Sequence, residues 1–169
     1  MRIGAENGNM WVVETESEEE TRWLGEQLGV LLQDGDVIAL VGSLGAGKTR
    51  FVQGIARGMG IQRPVTSPTF VLMNVYVAAD GRTLCHVDCY RLTDAVEEGY
   101  ALGLDQAFRG DAVCVVEWAE RIRPLLPADR LDVFIDVVDD HRRRFRFLAQ
   151  GPQARQRLAS LRSRVKSSE

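Results

Sequence analysis

No stretch of 18 consecutive apolar residues occurs in the chain, which excludes a membrane-spanning helix of ordinary length. The first residues, Met1-Arg2-Ile3-Gly4-Ala5-Glu6, lack the apolar core of a secretory signal. Cysteine is scarce: Cys85, Cys89 and Cys114 form no C-x-x-C pair, and all lie in or beside apolar runs. Zinc and disulfide frameworks therefore give way to buried free thiols in a reducing, cytoplasmic setting. An excess of positive charge is missing too, since 21 Lys and Arg face 24 Asp and Glu for a net charge of −3. Without a broad basic footprint, this chain is not expected to be the main grip on a nucleic acid. Lysine is almost absent, the other cations being arginine: it occurs only at Lys48 and Lys166. Lys48 stands inside the stretch that organises the chain.

That stretch is Gly42-Ser43-Leu44-Gly45-Ala46-Gly47-Lys48-Thr49, preceded by the apolar run Val37-Ile38-Ala39-Leu40-Val41. It fills every fixed position of the phosphate-binding pattern G-x-x-x-x-G-K-[ST], with a strand pattern before it and a helix pattern after it. Glycines at 42, 45 and 47 let the backbone curl so that successive N–H groups, those from Gly45 through Thr49 including Ala46, point at phosphate oxygens. A helix opening near Lys48 adds the positive end of its dipole. Lys48 carries a cation to the β and γ phosphates, and the Thr49 hydroxyl suits Mg²⁺. Binding of a nucleoside triphosphate with Mg²⁺ is the expectation.

A chain of 169 residues, 45% hydrophobic, is the size of one well-packed domain. Residues 1–9 read as a loose leader, residues 10–150 as the nucleotide-binding domain, and residues 151–169 as a basic helix and tail. Met10–Thr15 reads as a strand. Ser17 and Glu20 have capping-box spacing, Leu24, Leu28, Leu31 and Leu32 form the apolar stripe of the next helix, and Gly35 stands where a C-terminal cap belongs. The acids at 18–20 complement that helix's dipole, with a contact to the nucleotide base as a secondary reading. Phe51, Ile55 and Met59 continue the helix after the phosphate loop, and Gly58-Met59-Gly60 ends it.

The segment Pro64-Val65-Thr66-Ser67-Pro68-Thr69-Phe70 reads as a loop. Its place after the phosphate-loop helix makes Thr66, Ser67 and Thr69 candidates for a switch that responds to the γ-phosphate. Val71–Ala78 and Thr83–Asp88 read as a hairpin closed by Asp80-Gly81. Asp88 ends the second strand, where a carboxylate can position water or metal, although a structural role for it is the commoner outcome. His86 reads as a satisfied, partly buried histidine. Residues 94–110 look like short helices broken at Gly99, Gly103 and Gly110. Ala112-Val113-Cys114-Val115-Val116-Glu117 is an apolar strand that ends in an acid, the form that delivers a carboxylate to Mg²⁺. Two alternating segments, Leu131–Val137 and Arg144–Leu148, suggest an antiparallel pair, with Arg142-Arg143-Arg144 either a solvated strand start or a phosphate or base contact. The fold class is α/β, a single-domain P-loop NTPase whose mixed sheet has a parallel core and added antiparallel strands, flanked by helices.

Four segments stand in order: Gly-Ser-Leu-Gly-Ala-Gly-Lys-Thr at 42–49, Thr-Ser-Pro-Thr-Phe at 66–70, His-Val-Asp-Cys-Tyr-Arg-Leu at 86–92 and Val-Glu-Trp at 116–118. As a set they resemble the TsaE family, the ATPase component of the bacterial machinery that makes threonylcarbamoyladenosine in tRNA. The resemblance implies that Lys48 meets the phosphates, Thr49 and Glu117 hold Mg²⁺, Asp88 acts near the attacking water, and Trp118 lies near the nucleotide. It further implies a switch at 66–70, a TsaB-like and a TsaD-like partner, and tRNA met only through their complex. Ser43 stands where the family usually carries aspartate, which leaves the phosphate cradle intact. Two other classes share the cradle: a small-molecule kinase, for which no arginine-bearing lid is evident, and an ATP-gated assembly scaffold. A GTPase would carry an Asn-Lys-x-Asp or Thr-Lys-x-Asp segment, which is absent.

Overall fold

The computed structural model describes residues 1–43, 45–66 and 73–168. Eight strands form one mixed sheet: β1 (Arg2–Glu6), β2 (Met10–Thr15), β3 (Val37–Gly42), β4 (Met73–Val77), β5 (Thr83–Asp88), β6 (Val113–Glu117), β7 (Leu131–Val137) and β8 (Arg143–Ala149). Their spatial order is β1-β2-β8-β7-β3-β6-β5-β4. The four central strands β7, β3, β6 and β5 run parallel, and antiparallel pairs extend the sheet to both sides. This is the single-domain mixed α/β architecture expected from the sequence.

Side chains alternate across a strand, so the central apolar runs must be covered on both faces. Ile38 and Leu40 of β3, Val113 and Val115 of β6 and Leu84 of β5 enter one core, with α1 (Glu18–Leu31), α2 (Lys48–Gly58) and α5 (Pro152–Ser167). Val37, Ala39, Cys85, Val87, Cys114 and Val116 enter the opposite core. There they meet Leu104 of α4 (Leu104–Ala107), Phe108, and Ile122 and Leu125 of a 3₁₀ segment at Ala119–Leu125. The α1 stripe holds, because Leu24, Leu28 and Leu32 are fully buried. Phe51 of α2 packs on Phe145 at a 5.1 Å centroid distance, and Trp11 stacks on Phe147 at 5.5 Å.

Several local expectations need correction. Residues 2–6 are not a loose leader: they pair antiparallel with β2, Ile3 opposite Val13. The Asn7 side chain accepts the N–H groups of Asn9 and Met10 and closes the turn between them. With Ile3 the sole large apolar residue in that strand, no alternation announced it. The Ser17 hydroxyl accepts the Glu20 N–H, but the Glu20 carboxylate reaches past Ser17 to the Glu16 N–H at 2.8 Å. Gly35 does not cap α1, which ends at Leu31; it turns the chain with φ +98° and donates its N–H to Ala112 O. Gly99 does not break a helix either. It lies buried within α3 (Ala95–Ala101), where a Cβ would come 2.6 Å from Leu125 Cδ2. At the end of α2, Gly60 adopts φ +82° and Ile61 N–H bonds Ala56 O, the stop expected there.

All three cysteines are buried free thiols. Burial pushes Cys89 up to about 12, and the neighbouring Cys85 thiol together with burial pushes Cys114 up as well. Since the thiolate is the reacting species, Cys89 and Cys114 should resist a disulfide reagent such as DTNB at pH 8. All three thiols should react promptly in denaturant. Rapid native-state labelling of Cys114 would contradict the packing described.

Candidate functional site

The site forms at the carboxyl ends of the parallel strands β3, β6 and β5, the edge where doubly wound sheets gather ligands. β3 delivers the phosphate loop. Gly45 and Gly47 take φ +79° and +99°, conformations that a Cβ would strain, and α2 starts directly after them. Gly42 is constrained by packing instead, since a Cβ there would come 2.8 Å from Ile135 O.

Register then aligns the carboxylates. Asp88 of β5 and Glu117 of β6 are direct cross-strand partners. Both share the strand face of Leu84, Val113 and Val115, which is the face covered by α2, so they open toward Lys48. Lys48 is buried, and its Nζ donates to Gly42 O while sitting 3.7 Å from the centroid of the Trp118 ring. Burial holds the Lys48 ammonium below its usual range, against the pull of Glu117, Glu120 and Asp88. Burial likewise raises Asp88, helped by the neighbouring Glu117, although the Tyr90 N–H donates to its Oδ1 at 2.9 Å.

These groups line one cleft of about 680 Å³, within the range of small-molecule sites. Of the sequence-predicted residues, Gly45, Gly47, Lys48, Thr49, Asp88, Glu117 and Trp118 border it. Ala46 does not. Its side chain is fully buried in the core, and its N–H is already donated to Ser43 O. Thr66 is exposed and borders a separate groove with Arg63 and Gln53 rather than this cleft. Ser67 and Thr69 lie outside the described residues.

Trp118 is the sole non-glycine residue with positive φ among those described, at +57°. For a bulky side chain that conformation costs on the order of 1–3 kcal/mol and marks sites where function sets geometry. The turn takes the chain out of β6 so that the indole faces the cleft, where it packs on Tyr90 at a 5.0 Å centroid distance.

Other residues emerge only in three dimensions. The hairpin between β7 and β8 brings Asp140, His141 and Arg143 to the cleft wall. Arg143 Nη2 donates to Gly45 O at 3.3 Å, so of the three consecutive arginines one reaches the phosphate loop. Arg142 pairs with Asp139 and Arg144 with Glu14. Glu18 and Thr21 of α1 close the same end. Glu120 carries no motif signal in the sequence, yet it belongs to the acidic field around Lys48, and burial raises its carboxyl. His86 is also more than a satisfied core residue: it is fully buried, its Nε2 lies 2.6 Å from Glu117 Oε2, and its Nδ1 has no partner among the described residues. The sequence signal for it was the two-residue spacing to Asp88, which puts both on one strand face.

An Mg²⁺-nucleotide fits these residues by their donor chemistry. The left-handed glycines form a cradle that side chains would fill, Lys48 supplies a buried cation, and Thr49 and Glu117 supply hard oxygen donors at the cleft.

Comparison with known proteins identifies the family. Residues 15–145 match the family model described as threonylcarbamoyl adenosine biosynthesis protein TsaE. The tRNA threonylcarbamoyladenosine biosynthesis protein TsaE of Bacillus subtilis is 44% identical over 138 residues, covering 81% of this chain and 84% of that one. The protein of the same name from Treponema pallidum is 42% identical over 135 residues, covering 79% of this chain and 96% of its own. A crystal structure of Bacillus subtilis YdiB superposes with a TM-score of 0.79 at 34% identity, covering 97% of this chain and 98% of that one. With a family model spanning most of the chain, relatives above 40% identity and a shared fold, the chain belongs to the TsaE family.

Proposed function

We propose that this protein is the Mg²⁺-dependent ATPase of the machinery that makes threonylcarbamoyladenosine at position 37 of tRNA. The observation that carries the reading is the convergence of Lys48, Asp88, Glu117 and Trp118 on one cleft beside a phosphate loop. The names of the relatives supply the pathway. ATP is the substrate. The N–H groups of Gly45, Gly47, Lys48 and Thr49 and the Lys48 ammonium bind the phosphates, with Lys48 leaving Gly42 O and the Trp118 face to do so. Thr49 and Glu117 would hold Mg²⁺, which would supply charge neutralisation to the triphosphate. Asp88, whose carboxyl is raised by burial and by Glu117, orients the attacking water and accepts its proton. Trp118 covers the phosphate end and excludes bulk water. Thr66, Ser67 and Thr69 report the γ-phosphate to the surface.

Hydrolysis resets a complex of TsaB-like and TsaD-like partners that carry out the threonylcarbamoyl transfer, and tRNA is met only through that complex. The location that goes with this reading is the cytoplasm, in keeping with three buried free thiols. No helix among the described residues is long and apolar enough to cross a membrane.

The test is phosphate release by the purified protein, alone and with the TsaB-like and TsaD-like proteins of its own organism. Turnover alone should be slow, and the pair should stimulate it at least about tenfold, the size of effect expected when partners complete a charge-stabilising site. A pair that neither binds nor stimulates removes the pathway reading. A phosphorylated small-molecule product formed with an added acceptor would replace it with a kinase.

A further inference from the structure

The buried His86–Glu117 pair does more than fill the sheet interior. His86 opposes Val115 in the β5–β6 register, one same-face step behind Asp88, so its ring lies diagonally behind Glu117. Nε2 and Glu117 Oε2 are 2.6 Å apart with both side chains almost wholly out of solvent. Nδ1 is buried and has no partner among the described residues. Of the two imidazole tautomers, the one with a proton on Nδ1 would leave a buried N–H donor orphaned, which is rarer than an orphaned acceptor. Nε2 therefore carries the proton and donates it to Oε2.

That bond ties one carboxylate oxygen toward the sheet interior. The other oxygen, Oε1, has no hydrogen-bond partner among the described residues, and Glu117 borders the cleft. The tie also opposes a competing arrangement. Glu117 attracts the Lys48 ammonium, and a direct ion pair between them would withdraw the cation from the phosphates and the carboxylate from the metal.

We propose that His86 is a positioning residue: its Nε2–H fixes Glu117 Oε2 so that Oε1 alone is presented to the Mg²⁺ of a bound nucleotide. The proposal rests on the nucleotide reading given above. Partners behind a metal ligand typically alter metal affinity or activity by 10- to 100-fold when removed.

The experiment measures equilibrium binding of radiolabelled ATP as a function of Mg²⁺ concentration, and again in EDTA. His86→Leu removes the donor and keeps apolar volume, His86→Gln carries an N–H near the Nε2 position, and His86→Asn carries one too short to reach. In His86→Leu the Mg²⁺ needed for half-maximal binding should rise about tenfold or more, while ATP affinity in EDTA stays near that of the unmodified protein. His86→Gln should recover most of the loss and His86→Asn should not, so the series decides the matter even if the leucine variant fails to fold. In a Glu117→Gln background, replacing His86 should change Mg²⁺ dependence no further. Unchanged Mg²⁺ dependence in His86→Leu or His86→Asn overturns the proposal, as does an equal loss of ATP affinity in EDTA, which would mark a purely structural role. If the unmodified protein binds no ATP in Mg²⁺, the nucleotide reading itself fails, a result distinct from either.

Discussion

Replacing Lys48 by alanine is expected to lower ATP turnover by about 10²–10³-fold, the range seen when one preorganised charge-stabilising group is removed from a transition state. The expectation follows from its surroundings. Lys48 is buried at the mouth of a cleft with Glu117, Glu120 and Asp88 around it, and it is held by a single carbonyl and an aromatic face. Those contacts compensate an ammonium less completely than phosphate oxygens would, so a nucleotide draws it forward. Without the cation, Asp88 and Glu117 face an anionic substrate across a poorly screened cleft, and ATP affinity should fall together with turnover. The measurement is steady-state phosphate release and equilibrium ATP binding, side by side. Turnover equal to that of the unmodified protein would place the chemistry elsewhere.

Gly54→Ala is expected to cost about 2–3 kcal/mol of stability, the upper part of the overpacking range. For a domain of this size that lowers the melting temperature by roughly 5–10 °C. The helices α1 and α2 approach through four glycines, Gly25 and Gly29 on one and Gly54 and Gly58 on the other. A Cβ on Gly54 would come 2.1 Å from Arg22 O, and those on Gly29 and Gly58 equally near Ile55 O and Glu26 O. The obstructing atoms are backbone, so no side chain can rotate aside and the helices must part. Alanine's better helix propensity returns about 1 kcal/mol at most, which leaves the net sign unchanged. Because α2 begins at Lys48, the displacement also reaches the phosphate loop, and ATP affinity should weaken in the same variant. Gly8→Ala, with nothing within 4 Å of the new Cβ, is the control and should change stability by no more than about 0.5 kcal/mol. A Gly54→Ala protein as stable as the parent would mean that α1 and α2 are not in this contact.

The two cases separate what local pattern can convey from what it cannot. Lys48 and Thr49 were legible because the phosphate loop is a continuous octet whose chemistry is contained in eight adjacent residues. Glu117 was legible as the acid at the end of an apolar run, and the central strands were legible because burial on both faces demands uninterrupted apolar sequence. The glycine contact was not read, although G-x-x-x-G occurs at 25 and 29 and again at 54 and 58. A helical glycine looks like a weak point until the partner helix is known to press against it. Gly99, which local pattern marks as a break, has the same explanation, since Leu125 fills the space its side chain would need.

By itself the sequence determined the phosphate loop, the alternation of strand and helix, the apolar faces and the family to which their order belongs. Each of these depends on residues close together in the chain, where spacing alone fixes geometry. The tertiary structure decided which strand lies beside which. Only the pairing of β5 with β6 puts Asp88 opposite Glu117 and His86 behind it, across about thirty positions of chain. It also decided that Arg143, from the far hairpin, would reach Gly45, while Ala46 from the loop itself would turn into the core. The reason is physical: register and handed crossover bring distant segments to one sheet edge, and no periodicity within a segment encodes which distant side chain arrives there.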